Sequence, residues 1–292
     1  MGIFRFYWKD DFLPKVASPL LLGNFDGVHK GHQALISAAL EKGEAAVLLL
    51  DPSFHKEKDE GVLTTLEDKI RLFGYYGVQN IYVLKTDREF FSLPKESFIE
   101  NILKKLEPSL LVVGEDYSFG FKGEGKANDL KGAFLTIALP LCEFQGEKIG
   151  TRLIKSLLLS GKVLEANNLL GRPYEIKGKV QRGFQNGRKI SFPTANLEAS
   201  PYLLPKKGVY CGFSYLRGIC YKAIINVGDA PTIGKLKKNI VEVYLDGFNG
   251  DCYDETLYVD FVSFLREEIH FASLENLKNQ LQKDLEEMRK KI

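Results

Sequence analysis

The chain has 292 residues, 45% of them hydrophobic and 27% charged, enough to bury sizeable cores and most naturally arranged as two domains. Its formal net charge of +2 argues against the broad basic surface of a general nucleic-acid binder, so small molecules rather than nucleic acid are the expected partners. Cys142, Cys211, Cys220 and Cys252 are widely spaced with no Cys-x-x-Cys pair, which indicates neither structural zinc nor a disulfide framework and fits a reduced cytoplasm; no apolar run of about 18 residues suggests a signal peptide or membrane span.

In chain order, Leu20 to Leu22 read as the end of a buried strand, and Gly23 and Gly27 permit a tight turn. Ala34, Leu35, Ile36, Ala38, Ala39 and Leu40 then have the apolar spacing of a helix. Between them, Gly23-Asn24-Phe25-Asp26-Gly27-Val28-His29-Lys30-Gly31-His32 carries two of the chain's four histidines, placed at a helix N-terminus. Free backbone N–H groups and the positive end of the helix dipole gather there, so an anion such as a triphosphate is held and imidazole donors add to the hold. Incidental histidines at an ordinary junction are one other reading. A metal site from Asp26, His29 and His32 is another, although no cysteine or further histidine lies nearby as a ligand. Phosphate binding is favoured, because glycine explains the turn but not the histidines and lysine.

Strand candidates at 45–50, 81–84, 110–113 and 134–139 alternate with helical stretches at 66–76 and 95–106, the pattern of a doubly wound parallel sheet. A connecting helix follows, with Leu153, Ile154, Leu157, Leu158, Val163, Leu164, Leu169 and Leu170, closed by Gly171 and Pro173. The domain boundary falls within it, giving domains 1–158 and 159–292.

After Pro173 come short β-branched and aromatic runs at 177–182, 209–215, 221–227, 240–245 and 257–264, expected to form an antiparallel barrel. Asn186-Gly187 and Asn249-Gly250 read as hairpin turns. The chain ends in an amphipathic helix with Ser273 as N-cap and Leu274, Leu277, Leu281, Leu285 and Met288 on one stripe, expected to close the barrel. In Pro193-Thr194-Ala195-Asn196, a hydroxyl and an amide two residues apart can offer oxygen ligands to magnesium, though spacing alone favours an ordinary turn. Val241, Val243 and Leu245 face one way and Glu242 and Tyr244 the other, so pattern alone reads Glu242 as solvated.

The histidine window resembles the Gly-x-Phe-Asp-Gly-x-His-x-Gly-His signature of the nucleotidyltransferase superfamily and, within it, the bacterial bifunctional riboflavin kinase/FMN adenylyltransferase (FAD synthetase) family. Gly114-Glu115-Asp116-Tyr117-Ser118-Phe119-Gly120 is similar to a second motif of that family, and Pro193-Thr194-Ala195-Asn196 to the riboflavin kinase motif. The likeness extends through Gly171-Arg172-Pro173-Tyr174, Gly208-Val209-Tyr210, Asn226-Val227-Gly228-Asp229-Ala230-Pro231-Thr232 and Leu265-Arg266-Glu267-Glu268, so it spans nearly the whole chain in the family's order.

The resemblance implies a Rossmann-like N-terminal domain with a parallel sheet and a riboflavin-kinase-like C-terminal barrel with a terminal helix. It implies an enzyme that phosphorylates riboflavin to FMN and adenylylates FMN to FAD, using ATP and magnesium. For adenylyl transfer it points to His29 and His32 as catalytic and to Gly23, Phe25, Asp26, Gly31, His32, Thr151, Arg152 and Lys155 as nucleotide-binding. Asp116, Tyr117 and Phe119 are then flavin contacts. For the kinase it points to Glu242 as base, Gly178, Gly187, Thr194 and Asn196 on the nucleotide, Thr194 and Asn196 on magnesium, and Arg266 and Glu268 on the flavin.

Two departures stand out. Ile149-Gly150-Thr151-Arg152-Leu153-Ile154-Lys155 occupies the place of Ile-Ser-Ser-Thr-x-Ile-Arg, with lysine substituting a point charge for a bidentate fork. Asp51-Pro52-Ser53-Phe54 stands where relatives often carry Pro-His-Pro, and no role is carried over to it. The alternative function is another nucleotidyltransferase with a non-catalytic flavin- or RNA-binding barrel.

Overall fold

Alternating apolar runs and amphipathic helices in the first half require a sheet covered on both faces, and the computed structural model has one. It describes residues 1–51, 61–144, 146–182, 192–229 and 239–292. The chain divides into two compact units, Met1–Asp59 with Thr64–Thr151, and Glu60–Leu63 with Arg152–Ile292.

Strands of the first unit are β1 (Gly2–Tyr7), β2 (Pro19–Leu22), β3 (Ala46–Asp51), β4 (Asn80–Lys85), β5 (Leu110–Gly114), the short β6 (Ser118–Phe119) and β7 (Gly125–Lys126), β8 (Thr136–Leu139), and the ribbon β9 (Glu143–Phe144) with β10 (Glu147–Lys148). Six of them make a parallel sheet in the order β1-β4-β3-β2-β5-β8. Its helices include α1 (Lys30–Leu40) and α2 (Leu66–Tyr75). Successive strand residues point to opposite faces, so Leu20, Leu22, Ala46 and Leu48 pack with Phe98, Ile102 and Leu106. Leu21, Val47, Leu49 and Val112 pack with Leu35 and Ile36 of α1 and Ile70 and Phe73 of α2. Strand order reverses at β2, whose neighbours are β3 and β5, and ligands of open α/β sheets bind outside the carboxyl ends of strands at such a reversal. The Gly23 turn lies there.

β1 is a strand the apolar-run reading did not anticipate, because an edge strand carrying Arg5 between aromatics gives no continuous apolar run. The expected 95–106 helix is helical throughout but changes pitch: α3 (Lys95–Phe98), a π-helical turn at Ile99–Leu103, and α4 (Lys104–Leu106), ending at Glu107 in the left-handed region. Between β7 and β8 lies α5 (Ala127–Lys131). The single connecting helix is corrected to two, α6 (Thr151–Leu159) and α7 (Val163–Leu170), separated at Gly161, whose φ is 79°. Gly171, at φ 72°, caps the second as expected.

In the second unit β11 (Tyr174–Gln181), β12 (Thr194–Glu198), β13 (Gly208–Leu216), β14 (Ile219–Asp229), β15 (Asn239–Leu245) and β16 (Thr256–Arg266) form a closed barrel in the order β11-β12-β15-β14-β13-β16. Asn249-Gly250 is not a hairpin turn, since β15 and β16 are not neighbours in that order. A tight hairpin lies at Arg217-Gly218, both at positive φ (53° and 77°), joining β13 to β14, where an arginine in place of asparagine hides the turn in the sequence. Asn186-Gly187 lies outside the described residues. The terminal helix α8 (Leu274–Lys291) starts at Ser273, whose hydroxyl accepts from Asn276 N at 3.2 Å. Strand pairing between β11 and β16 closes the barrel, and α8 instead covers its outer face, packing Met288 and Leu285 against Val209, Cys211, Ile224 and Tyr244.

Candidate active sites

The turn after β2 is conformationally demanding: Phe25, Gly27 and Val28 have φ of 54°, 84° and 41°, and a non-glycine residue in the left-handed region costs about 1–3 kcal/mol. Neighbouring groups hold it there. The fully buried Phe25 ring packs against Phe73 (5.0 Å between centroids) and His32 (5.1 Å). Gly27 N donates to Thr64 Oγ1 at 2.8 Å, and Thr64 N donates to Asp26 Oδ1 at 3.0 Å. Thr151 Oγ1 donates to the Asp26 carbonyl at 3.1 Å, and Lys69 Nζ to the Asn24 carbonyl at 2.8 Å. Burial pushes the Lys69 ammonium down from its ordinary range, with Asp26 pulling it back up.

This turn delivers His29 to the N-cap of α1 and His32 to its first turn. Their rings stack with centroids 3.6 Å apart and planes 20° from parallel. No side chain caps α1 and no acidic residue lies in its first turn, so its amides keep their positive potential for an anion. A Cβ at Gly31 would stand 3.2 Å from atoms of the His29 ring, so the glycine lets that ring lie flat against the helix start. Among the described residues, no three His, Cys, Asp or Glu side chains are grouped to hold a metal ion, so the alternative of a metal at Asp26, His29 and His32 gains no support.

Beside Gly23 and Asn24 opens a cavity of about 290 Å³ walled by Leu22, Leu48, Leu50, Phe90, Phe91, Leu93, Phe98, Tyr117 and Phe119. Tyr117 and Phe119 stack at 5.8 Å, and burial raises the pKa of the Tyr117 hydroxyl. Asp116 is not in that wall but pairs with Lys148 of β10. In the second unit Arg152 is exposed, and Lys155 Nζ donates to the Gly61 carbonyl at 2.7 Å. Sequence reading missed Thr64, Lys69, Phe90, Phe91 and Leu93. Their motif-free stretches carry no local signal, and only the sheet topology brings them to the mouth of β2.

On the barrel, Asn196 of β12 lies directly opposite Glu242 of β15, and Glu242 lies opposite Asn226 of β14. Thr194, two residues from Asn196, shares their outer face. Glu242 is half-buried rather than solvated: burial raises its pKa, the Asn226 amide bonded to it lowers it, and nearby Glu268 raises it further. Glu268 also lies over Gly228, where a Cβ would come 2.2 Å from Glu268 Oε1. Arg266 is held by Asp284 of α8, Nε to Oδ1 at 2.9 Å and Nη2 to Oδ2 at 2.7 Å. Gly178 allows β11 and β12 to approach, since a Cβ there would meet the Glu198 carbonyl at 2.3 Å. Gly187 lies outside the described residues, as do 52–54 of the departing loop.

Comparison with known proteins gives both halves a family. Residues 15–153 match the FAD synthetase model and residues 170–292 the riboflavin kinase model. Bifunctional riboflavin kinase/FMN adenylyltransferases are similar along nearly the whole chain: that of Listeria monocytogenes is 36% identical, with 92% of this chain and 91% of the relative covered. That of Bacillus subtilis is 35% identical (92% and 91%), and that of Escherichia coli strain K12 33% (93% and 91%). A crystal structure described as a macrolide-efflux protein from Streptococcus pneumoniae superposes with a TM-score of 0.88 at 30% identity, covering 99% of each chain. Two matched models in the expected order, and relatives similar over about nine-tenths of each chain, place the chain in the bifunctional riboflavin kinase/FMN adenylyltransferase family.

Proposed function

We propose that this chain phosphorylates riboflavin to FMN on the barrel, in domain 159–292, and adenylylates FMN to FAD on the parallel-sheet domain, 1–158, releasing pyrophosphate. The observation that carries this reading is the His29–His32 stack at the uncapped start of α1, at the mouth of the central strand.

The two reactions make different demands. In adenylyl transfer the attacking FMN phosphate is already an anion near neutral pH, so the site needs no general base and must stabilise charge on the departing pyrophosphate. His29, His32 and the α1 amides serve that end, with Gly23, Phe25, Asp26, Gly31 and Thr151 on the nucleotide. Tyr117 and Phe119, in the wall of the apolar cavity, offer a flat flavin ring a stacking surface; the resemblance adds Asp116, paired with Lys148, as a further flavin contact.

In the kinase step the nucleophile is a neutral ribityl hydroxyl, and a positioned carboxylate accepting its proton contributes about 10²–10⁴-fold. Glu242 takes that role, its raised pKa making it a stronger base than an exposed glutamate. The Thr194 hydroxyl and Asn196 amide oxygen are hard donors of the kind that suit magnesium, which when bound screens the ATP phosphates. Gly178 and Gly187 complete the nucleotide side, and Arg266 and Glu268 the flavin side. A barrel that merely binds flavin or RNA leaves unexplained a carboxylate half-buried between two asparagines.

The cytoplasm, which supplies ATP and keeps thiols reduced, is the compartment this reading implies; the four cysteines are free, and no helix among the described residues is long and apolar enough to cross a membrane. Incubation with riboflavin, ATP and magnesium followed by chromatography tests the whole reading: FMN and FAD support it, FAD from supplied FMN alone removes the kinase, and no flavin product refutes both halves.

A further inference from the structure

The segment after β4 forms one wall of the apolar cavity through Phe90, Phe91 and Leu93, yet between Thr86 and Leu93 it has only a single 3₁₀ turn of regular structure. A wall of that kind needs an anchor. At its start Thr86 Oγ1 donates to the Asp51 carbonyl at 3.0 Å, and at its end the Leu93 carbonyl accepts from Phe121 N at 2.7 Å. Its middle is fixed by one carboxylate. Asp87 Oδ1 accepts from Phe90 N at 2.9 Å and from Trp8 Nε1 at 3.2 Å, and Oδ2 accepts from the Tyr7 hydroxyl. Lys9 Nζ adds its charge 3.5 Å from Oδ2. The Trp8 ring packs edge-on against Phe90 at 6.1 Å, and Phe90 against Phe91 at 5.2 Å.

We infer that Asp87 is a positioning residue of the adenylyl-transfer site, holding the Phe90–Phe91 wall at the spacing that accepts the flat tricyclic ring of FMN. This rests on the assignment of that cavity to the flavin. The end of β1 supplies Tyr7 and the turn after it Trp8, so the edge strand acts at a distance from the phosphate chemistry: it sets flavin fit and not charge stabilisation. Asp87 is held well below the usual carboxylate range, at about 2, chiefly by the Tyr7 hydroxyl and then by the Phe90 amide, so the anchor stays ionised wherever the enzyme works. The groups facing it are Tyr7, Lys9 and, through Lys9, Glu89.

The test is steady-state FAD synthesis by Asp87→Ala, Asp87→Asn and Tyr7→Phe in the full chain, with FMN and ATP varied separately and binding of FMN followed by quenching of its fluorescence. Asp87→Ala should raise KM and Kd for FMN about tenfold while KM for ATP and kcat stay within about twofold, as loss of binding common to ground and transition states requires. Asp87→Asn, which keeps a carbonyl acceptor, should recover part of the loss. An unchanged KM for FMN, or equal losses in both substrates and in kcat, overturns the inference. If Asp87→Ala fails to fold, Tyr7→Phe decides, since it removes one bond and leaves the ring packing. Wild-type enzyme that makes no FAD from supplied FMN fails the reading beneath the inference; wild-type activity with unaltered variants fails the inference alone.

Discussion

The imidazoles of His29 and His32 lie face to face, 3.6 Å between centroids and 20° from parallel, so each ring helps to align the other. Removing either loses a donor and also the surface that aligns its neighbour. His29→Ala and His32→Ala should each lower FAD synthesis about 10²–10³-fold, the size of losing one charge-stabilising donor, and leave FMN synthesis intact. The double variant should cost less than the product of the two, because the pair acts as a unit. Rates of the two half-reactions on all three proteins check this, and equal loss of both activities would refute two separate sites.

Gly31→Ala separates helix stability from ring placement. Alanine inside α1 favours the helix by about 0.5–1 kcal/mol over glycine, but its methyl would stand 3.2 Å from the His29 ring and push it from its stacked position. The melting temperature should therefore hold or rise while FAD synthesis falls. A variant with full adenylylation would mean the ring need not lie where it does.

Thr64→Val tests the tether under the turn. The valine is nearly isosteric, yet it leaves the Gly27 N–H without its 2.8 Å acceptor in a buried position, a loss of about 1–3 kcal/mol. The first unit should melt earlier and KM for ATP should rise, with riboflavin phosphorylation unchanged in the same preparation.

How far the sequence reached depends on whether a feature is local. The turn between β2 and α1 and the strand alternation at Val241–Leu245 were legible because glycine-bounded turns and period-two patterns are written within a few residues. Glu242 reads as solvated by that same pattern, since its burial comes from neighbours on β12, β14 and the Glu268 loop that sequence proximity does not reveal. Arg266 was legible as a motif residue, but its hold on Asp284, 18 residues further on in α8, was not. Thr64 and Lys69 sit about 40 residues from the turn they brace, and the π-turn at Ile99–Leu103 leaves the apolar spacing helical, so neither left a mark on the pattern.

Glu242→Gln should slow FMN synthesis sharply without weakening the barrel. Burial raises the folded pKa of this carboxyl, so stability falls as pH rises from the unfolded carboxyl's pKa through the folded one, and a neutral amide of the same shape removes that loss. The expected result is a kinase loss of about 10²–10⁴-fold with an equal or higher melting temperature at neutral pH, and FAD still formed from supplied FMN. A lower melting temperature would make Glu242 a structural group.

The surroundings of Glu242 also fix how the kinase should respond to acid. The base must be ionised to take the ribityl proton, so kcat falls as pH drops through its pKa, and burial places that limb above the range of an exposed glutamate. Glu268 raises the pKa by like-charge repulsion; Glu268→Gln should therefore move the limb to lower pH. The Asn226 amide lowers it by bonding the carboxylate, so Asn226→Ala should move the limb to higher pH. Opposite displacements in the pH profile of kcat are a signature that loss of packing or of flavin affinity does not produce, since either would reduce the plateau and leave the midpoint where it was. Limbs that coincide in the three proteins would place the titrating group elsewhere and take the role of base away from Glu242.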